Sequence, residues 1–123
     1  MIRRIDVATI QVRDQDRALE FYRDSLGFEV VSDERFGEGM RWIQVKPPGA
    51  ETSLTLAHGF AEGTPGGFTG IVFGTDDIEG THRDLSAKGV RFTEPPTKQE
   101  WGMVQAILSD PDGNEFVLVG PPG

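Results

Sequence analysis

The chain has 123 residues, of which 37% are hydrophobic and 26% are charged, and it contains no cysteine. This length suits one hydrophobic core and is short for two independent ones, so we expect a single domain over residues 1–123. The absence of cysteine excludes disulfides, thiolate metal sites and cysteine nucleophiles.

The charge balance also limits the kinds of partner that the protein is expected to bind. The formal net charge is −8, from 20 acidic against 12 basic residues, and no cluster of Lys or Arg forms a stripe that could neutralise phosphates. We therefore expect no nucleic-acid partner, and the acidic surface serves solubility or attracts cationic ligands. No apolar run approaches about 18 residues and MIRRIDVATI does not read as a secretory signal, which predicts a cytoplasmic protein with no membrane partner.

The chain repeats itself at an offset of about 62 residues. The two related stretches are TIQVRDQDRALEFYRDSLGFEV at 9–30 and GIVFGTDDIEGTHRDLSAKGVRF at 70–92. Each begins with alternating apolar residues, continues with an acidic helix start and ends in a glycine before another β-rich segment. This pattern predicts strand, helix and strand in both halves.

The ends of both predicted helices carry recognisable signals. Asp14 is the predicted N-cap of the first helix, and Asp76 with Glu79 has the spacing of a capping box at the second. Gly27 and Gly89 stand where helices end in a left-handed residue. The predicted buried face of the first helix comprises Ala18, Leu19, Tyr22 and Leu26.

Two more strands follow in each half. The predicted strands are Met40–Val45 and Ser53–Ala57, then Met103–Leu108 and Glu115–Val119. The segment HGFAEGTPGGFTG between the halves is glycine-rich and is predicted to be a linker. The fold class is therefore α+β, with two tandem βαβββ modules at about residues 1–58 and 66–123.

Four segments carry a family resemblance: DRALEFYRDSLGFEV, GIVFGTDDI, the Trp101-Gly102 pair and DPDGNEFVLV. In this order and spacing they resemble the vicinal oxygen chelate superfamily, which includes glyoxalases, extradiol dioxygenases and fosfomycin- and bleomycin-resistance proteins. The resemblance covers nearly the whole chain. It implies cupped mixed sheets with helices on their outer faces, and a homodimer.

The resemblance also implies where a metal would bind in an enzymatic relative. Such relatives hold one divalent metal with His, Gln or Glu at four equivalent strand positions, two per module. The corresponding positions here are Val7, Thr55, Gly70 and Val117. Shifting each position by one residue introduces one carboxylate, Asp6, and no imidazole, so we expect no metal and no cofactor.

Strand alternation predicts which residues line the face opposite the helices. This face mixes Trp, Met and Val with Gln and Thr, which suits an organic ligand. The candidate ligand-binding residues are Thr9, Gln11, Met40, Trp42, Gln44, Thr55, Trp101, Met103, Gln105 and Glu115. Phe60 and Phe68 flank the linker and either close over a ligand or fasten the linker down.

Three functions remain open at this stage. The first is a glyoxalase- or bleomycin-resistance-like protein that binds a small molecule, amphipathic or cationic, without the metal. The second is a lyase, isomerase or dioxygenase that uses no metal or a noncanonical site with Glu115 and His58. The third is a dimerising regulatory module, and no residue is assigned a catalytic role.

Overall fold

The computed structural model describes residues 1–59 and 63–123, so Phe60 lies outside the described residues. The chain divides into two compact units, Met1–Gly66 and Gly67–Gly123. The first contains β1 (Val7–Gln11), α1 (Gln15–Glu20) with a π-helical turn (Phe21–Ser25), β2 (Glu29–Phe36), β3 (Met40–Lys46) and β4 (Ser53–Ala57). The second contains β5 (Gly67–Gly74), α2 (Ile78–Ala87), β6 (Arg91–Lys98), β7 (Val104–Ser109) and β8 (Asn114–Gly120). The predicted α+β class with two βαβββ modules is confirmed.

Each unit has a mixed four-stranded sheet of the same topology. The strand orders are β1-β4-β3-β2 and β5-β8-β7-β6. In both sheets the first strand pairs in parallel with the last, and the other pairs are antiparallel. The last part of the predicted linker was assigned wrongly, because β5 begins at Gly67 and residues 67–70 belong to the strand.

The first helix begins and ends as its sequence predicts. The Asp14 side chain accepts hydrogen bonds from the amides of Asp16 at 2.9 Å and Arg17 at 3.1 Å. These bonds satisfy two of the amides that the first turn leaves without helical partners. After the π-helical turn the chain leaves the helix at Gly27, whose φ of 76° is open to glycine at little cost.

The second helix begins one residue later than predicted. Its N-cap is Asp77, which accepts from the Gly80 amide at 3.0 Å, so the assignment of a capping box to Asp76 and Glu79 is wrong. Gly80 permits this geometry, because a Cβ atom there would lie 2.2 Å from an Asp77 carboxylate oxygen. The Thr75 hydroxyl accepts from the Asp77 amide at 3.2 Å and helps to place the cap.

The helices cover one face of each sheet. Helix α1 packs against β4, and α2 packs against β6 and β8. The strand residues buried on these faces include Ile10, Ile43, Val45, Leu54, Leu56, Val104, Ala106, Leu108, Phe116 and Leu118. All alternate along their strands with the candidate ligand-binding residues, so the opposite faces are left for the candidate site. Within the described ranges, neither helix has the length and apolar character that crossing a membrane requires.

Candidate ligand-binding faces

A row of uncharged polar side chains crosses the open face of the first sheet. The strand register places Thr9 of β1 opposite Thr55 of β4, and Thr55 opposite Gln44 of β3. Gln44 in turn lies opposite Ser32 of β2. Residues paired in this way project from the same side of a sheet, at about 5 Å from one strand to the next. We call Thr9, Thr55, Gln44 and Ser32 the polar row.

The other predicted residues of the first unit lie beside this row. Trp42 and Met40 alternate with buried residues along β3, on the same side as Gln44, and Gln11 is on the Thr9 side of β1. All three are half-buried. The Trp42 indole Nε1 donates to Gln44 Oε1 at 3.1 Å, which ties the aromatic ring to the polar row. The six predicted residues of the first unit therefore share one face.

Thr55 is the most unusual residue of the row. Its exposure is 0%, and among residues 1–59 and 63–123 its Oγ1 has no hydrogen-bond partner. Leaving a buried hydroxyl unpaired costs about 1–3 kcal/mol, so such a group calls for an explanation. One explanation is a ligand that supplies the missing hydrogen bond.

A groove of about 680 Å³ borders the polar row at Gln44. It is lined by Arg4, Asp6, Val7, Val31, Gln44, Lys46, Ala50, Glu51 and Ser53. Its volume is in the range of small-molecule pockets, which is roughly 300–1,000 Å³. The groove therefore offers room for an organic ligand next to Gln44.

The second unit holds the remaining four predicted residues. Gln105 lies opposite Val119, and Glu115 opposite Ser109, on the face that also carries Val117. The half-buried Glu115 accepts a hydrogen bond from the Thr93 hydroxyl at 3.1 Å, which the sequence did not indicate.

The other two residues of this group lie outside the regular strands. Met103, the first residue of the predicted strand, lies just before the observed β7, and Trp101 is in the β6–β7 turn with 61% of its surface exposed. Strand alternation thus placed Gln105 and Glu115 on the face correctly, whereas Met103 belongs to the β6–β7 loop and not to the predicted strand. Trp101 is in the same loop.

The residues at the four metal positions do not fit a divalent metal. Val7 and Val117 offer alkyl groups, and Thr55 offers a hydroxyl. Gly70 offers no side chain and lies in an irregular stretch of β5 between the register pairs of Phe68 and Val72, with a φ of 76°. A residue with a Cβ atom is strained in this conformation, so Gly70 is not in an ordinary strand position that could present a ligand.

The side chains that could ligate a metal elsewhere in the described residues are dispersed. Within the described part of the chain, no three His, Asp or Glu side chains are grouped closely enough to hold a metal ion. His58 Nδ1 lies 3.0 Å from the Val12 carbonyl oxygen, and the His82 ring packs edge-on against Phe92 with centroids 4.5 Å apart. These contacts give both histidines structural roles.

Arg41 is a buried charged residue of the first unit. It is on the helix side of β3, 9% exposed, and it binds Asp33 of β2 and Asp16 of α1. These hydrogen bonds, first that with Asp33, raise the pKa of Arg41. Strand alternation contained the signal for this placement, because Arg41 has the same parity as the buried Ile43 and Val45.

Known proteins of one superfamily are similar to this chain over nearly its whole length. The family model of the glyoxalase/bleomycin resistance protein/dioxygenase superfamily matches residues 4–118. A superfamily member from Sphaerobacter thermophilus DSM 20745 is 44% identical, with a TM-score of 0.92 over 97% of this chain and 98% of that one.

Two further relatives have comparable similarity. TnmS3, an antibiotic binding protein from Streptomyces sp. CB03234, is 37% identical, with a TM-score of 0.88 over 98% of both chains. YetH of Bacillus subtilis (strain 168) is 36% identical over 120 residues, which are 96% of this chain and 98% of that protein.

Proposed function

The chain belongs to the glyoxalase/bleomycin resistance protein/dioxygenase superfamily, and we propose that it acts there as a binding protein. It holds a small organic molecule on the open faces of its sheets, without the metal of enzymatic relatives. The observation that carries this proposal is the donor set at the four metal positions: two Val, one Gly and one buried Thr. A single hydroxyl, with no imidazole, carboxylate or amide beside it, is too weak a donor set for a divalent cation.

The chemistry of the first open face supports the binding of an amphipathic molecule. Trp42 offers an aromatic surface on which a planar group can stack, and Met40 and Val7 add apolar area. Gln44, Thr9 and Gln11 add amides and hydroxyls that can orient the ligand. TnmS3 is described as an antibiotic binding protein, which makes antibiotics a sensible class of ligand to test.

Two measurements test the proposal. Protein purified from medium supplemented with Zn, Ni, Mn and Fe should contain far less than one metal equivalent by mass spectrometry of the elements. A thermal-shift screen against antibiotics and metabolites, run with and without metals, should find a ligand that raises the melting temperature in metal-free buffer. One full equivalent of metal, together with metal-dependent turnover, would overturn the proposal.

An enzyme of the same superfamily is the second candidate, and Glu115 is the residue that favours it. Its carboxylate is half-buried, accepts from Thr93 and stands two residues before Val117 on the same strand. A carboxylate held in this way could act as a general base. Under that alternative, Glu115→Gln abolishes turnover of a bound compound. Retention of ligand binding with no turnover in either protein supports the binding function instead.

The proposal includes a homodimer in the cytoplasm. Phe68 and Val72 of β5 are 65% and 56% exposed, and they lie opposite Glu115 and Val117. Apolar side chains exposed together on a sheet face are typical of an interaction surface, and a second copy of the chain would cover them. Sedimentation velocity should give a dimer that Val72→Asp dissociates, and cell fractionation tests the location.

A further inference from the structure

Strands β3 and β4 of the first sheet pair over part of their length. In the described part of the chain they are in register at Gln44–Thr55 and at Val45–Leu54, although β3 has seven residues and β4 has five. The sheet therefore opens at the end of β3 that holds Trp42. Backbone groups buried at such an opening need hydrogen-bond partners from outside the ladder, because an unpaired buried carbonyl costs free energy.

The side chain of Gln15, the first residue of α1, bridges the two strands at this opening. Its Nε2 donates to the Arg41 carbonyl of β3 at 2.8 Å and to the Leu56 carbonyl of β4 at 2.9 Å. Leu56 is fully buried, and Arg41 is 9% exposed. A side-chain amide nitrogen carries two hydrogens, so it can serve both carbonyls at once. Because one nitrogen holds both acceptors, Gln15 fixes the spacing of the strands at this point.

The second unit, all of whose residues are described, keeps the equivalent strands together. Its helix α2 also begins directly after an aspartate N-cap, but the first helical residue is the buried Ile78. Strands β7 and β8 stay in register from Val104–Gly120 to Ser109–Glu115. Ile78 packs closely on the end of β8, because a Cβ atom on Gly120 would lie 3.1 Å from the Ile78 Cβ. The opening of the strands thus accompanies a glutamine at the helix start, and their closure accompanies an isoleucine.

The bridge acts on the peptide that leads into Trp42. The Arg41 carbonyl and the Trp42 amide belong to one planar peptide unit, so a donor that fixes the carbonyl also fixes the backbone entering Trp42. Asp16, next to Gln15, accepts a hydrogen bond from the Arg41 guanidinium at 2.6 Å. The first turn of α1 therefore holds Arg41 by its main chain and by its side chain, on the face of the sheet opposite Trp42.

We infer that Gln15 is a positioning residue of the binding site, which holds β3 apart from β4 and thereby sets the orientation of Trp42 on the open face. This inference rests on the proposed function, because Trp42 is a binding residue only if the first open face holds the ligand. It goes beyond that function in assigning a role to a residue on the helix side of the sheet. Replacing Gln15 should move Trp42 although no atom of the open face itself is removed.

Fluorescence of Trp42 in the free protein tests the positioning role. Trp101→Phe leaves Trp42 as the single tryptophan, because the chain contains two. In this background, Gln15→Met keeps the length of the side chain but removes both donors, so quenching of Trp42 by acrylamide should rise about twofold. Gln15→Asn keeps the amide on a side chain one methylene shorter, which should serve at most one carbonyl and give a smaller rise.

Asp77→Ala is the matched control for a loss of stability. It removes the N-cap of α2 in the second unit and should lower the melting temperature while leaving the quenching of Trp42 in the folded protein unchanged. An equal rise in quenching for Asp77→Ala would overturn the inference, because the change would then follow from lower stability alone. Quenching at the wild-type level in both Gln15 variants would overturn it as well.

Ligand binding gives the second readout, with Trp101 retained. Acridone and 9-aminoacridine, flat fluorescent probes that are neutral and cationic at pH 7, are titrated together with the compounds of the thermal-shift screen. Gln15→Met should weaken the tightest of these about fivefold, and Asp77→Ala should leave it unchanged. If Gln15→Met leaves the affinity unchanged, the inference is wrong while the binding function stands. If no probe and no screened compound binds the wild-type protein, the proposed function itself fails.

Discussion

Arg41 and Asp33 are joined by two parallel hydrogen bonds, each 2.9 Å long, from Arg41 Nε and Nη2 to the two carboxylate oxygens. A third bond, from Nη1 to Asp16 at 2.6 Å, ties the same guanidinium to the first turn of α1. This arrangement connects α1, β2 and β3 on the helix side of the first sheet, directly behind Trp42. Arg41 is therefore a buried cation, and its two carboxylate partners differ greatly in exposure.

Asp33→Asn should destabilise the protein more than Asp16→Asn. Asp33 is 34% exposed and bidentate, whereas Asp16 is 80% exposed and makes a single bond. We expect losses of about 1–2 kcal/mol for Asp33→Asn and less than about 1 kcal/mol for Asp16→Asn in urea unfolding at pH 7. Equal losses would show that the bidentate geometry adds nothing.

The contribution of Asp33 should also depend on pH. The hydrogen bonds from Arg41 hold the pKa of Asp33 below its ordinary value. A carboxyl whose pKa is lower in the folded state stabilises the protein above its unfolded pKa of about 4, and this stabilisation is lost as pH falls through the folded pKa. The stability gap between wild type and Asp33→Asn should therefore be full at pH 7 and shrink below about pH 4. A gap that is constant with pH would contradict this account.

The N-cap of the second helix can be identified by alanine substitution. Asp77→Ala removes the acceptor of the Gly80 amide and should cost about 1 kcal/mol. Asp76→Ala changes the neighbouring residue, which the structure does not use as the cap, and should cost only a few tenths. If Asp76→Ala lowered the stability more than Asp77→Ala in thermal or urea unfolding, Asp76 would be the N-cap, as the sequence suggested.

Two glycines of β5 form a matched pair for backbone strain. Gly70 has a φ of 76°, and a Cβ atom at that position would contact nothing within 4 Å. Gly70→Ala should therefore cost about 1 kcal/mol through its conformation alone. Gly74 has equally open space and no positive φ, so Gly74→Ala should be neutral or slightly stabilising. Similar effects at both positions would argue against the conformation of Gly70.

The two tryptophans should differ in their roles. Trp42 is half-buried beside Gln44, and Trp101 is 61% exposed in a turn. Trp42→Leu should weaken a ligand found in the thermal-shift screen about tenfold, because it removes the stacking surface. Trp101→Leu should weaken it less, with intrinsic fluorescence quenching as the readout. A larger loss at Trp101 would move the site to the loop of the second unit.

Much of the fold could be predicted because its signals are local. Asp14 and Gly27 mark the two ends of a helical segment through their own side-chain and backbone preferences, with no help from distant residues. Alternation along β3 separates Ile43 and Val45 from Trp42 and Gln44, because successive side chains of a strand point to opposite faces. Asp77 was missed because adjacent aspartates compete for the cap, and Gly80 decides between them only in three dimensions.

The candidate site depends on pairing between segments far apart in the chain. Thr9 meets Thr55 only because β1 pairs in parallel with β4, and Ser32 joins Gln44 only because the register shifts after Val30. Alternation within one strand contains no information about register, and the unpaired hydroxyl of Thr55 is a property of all its neighbours together. The amino-acid order therefore determined the modules and the helix-facing core, while the tertiary pairing alone decided which polar groups meet and, within the described residues, left the Thr55 hydroxyl without a partner.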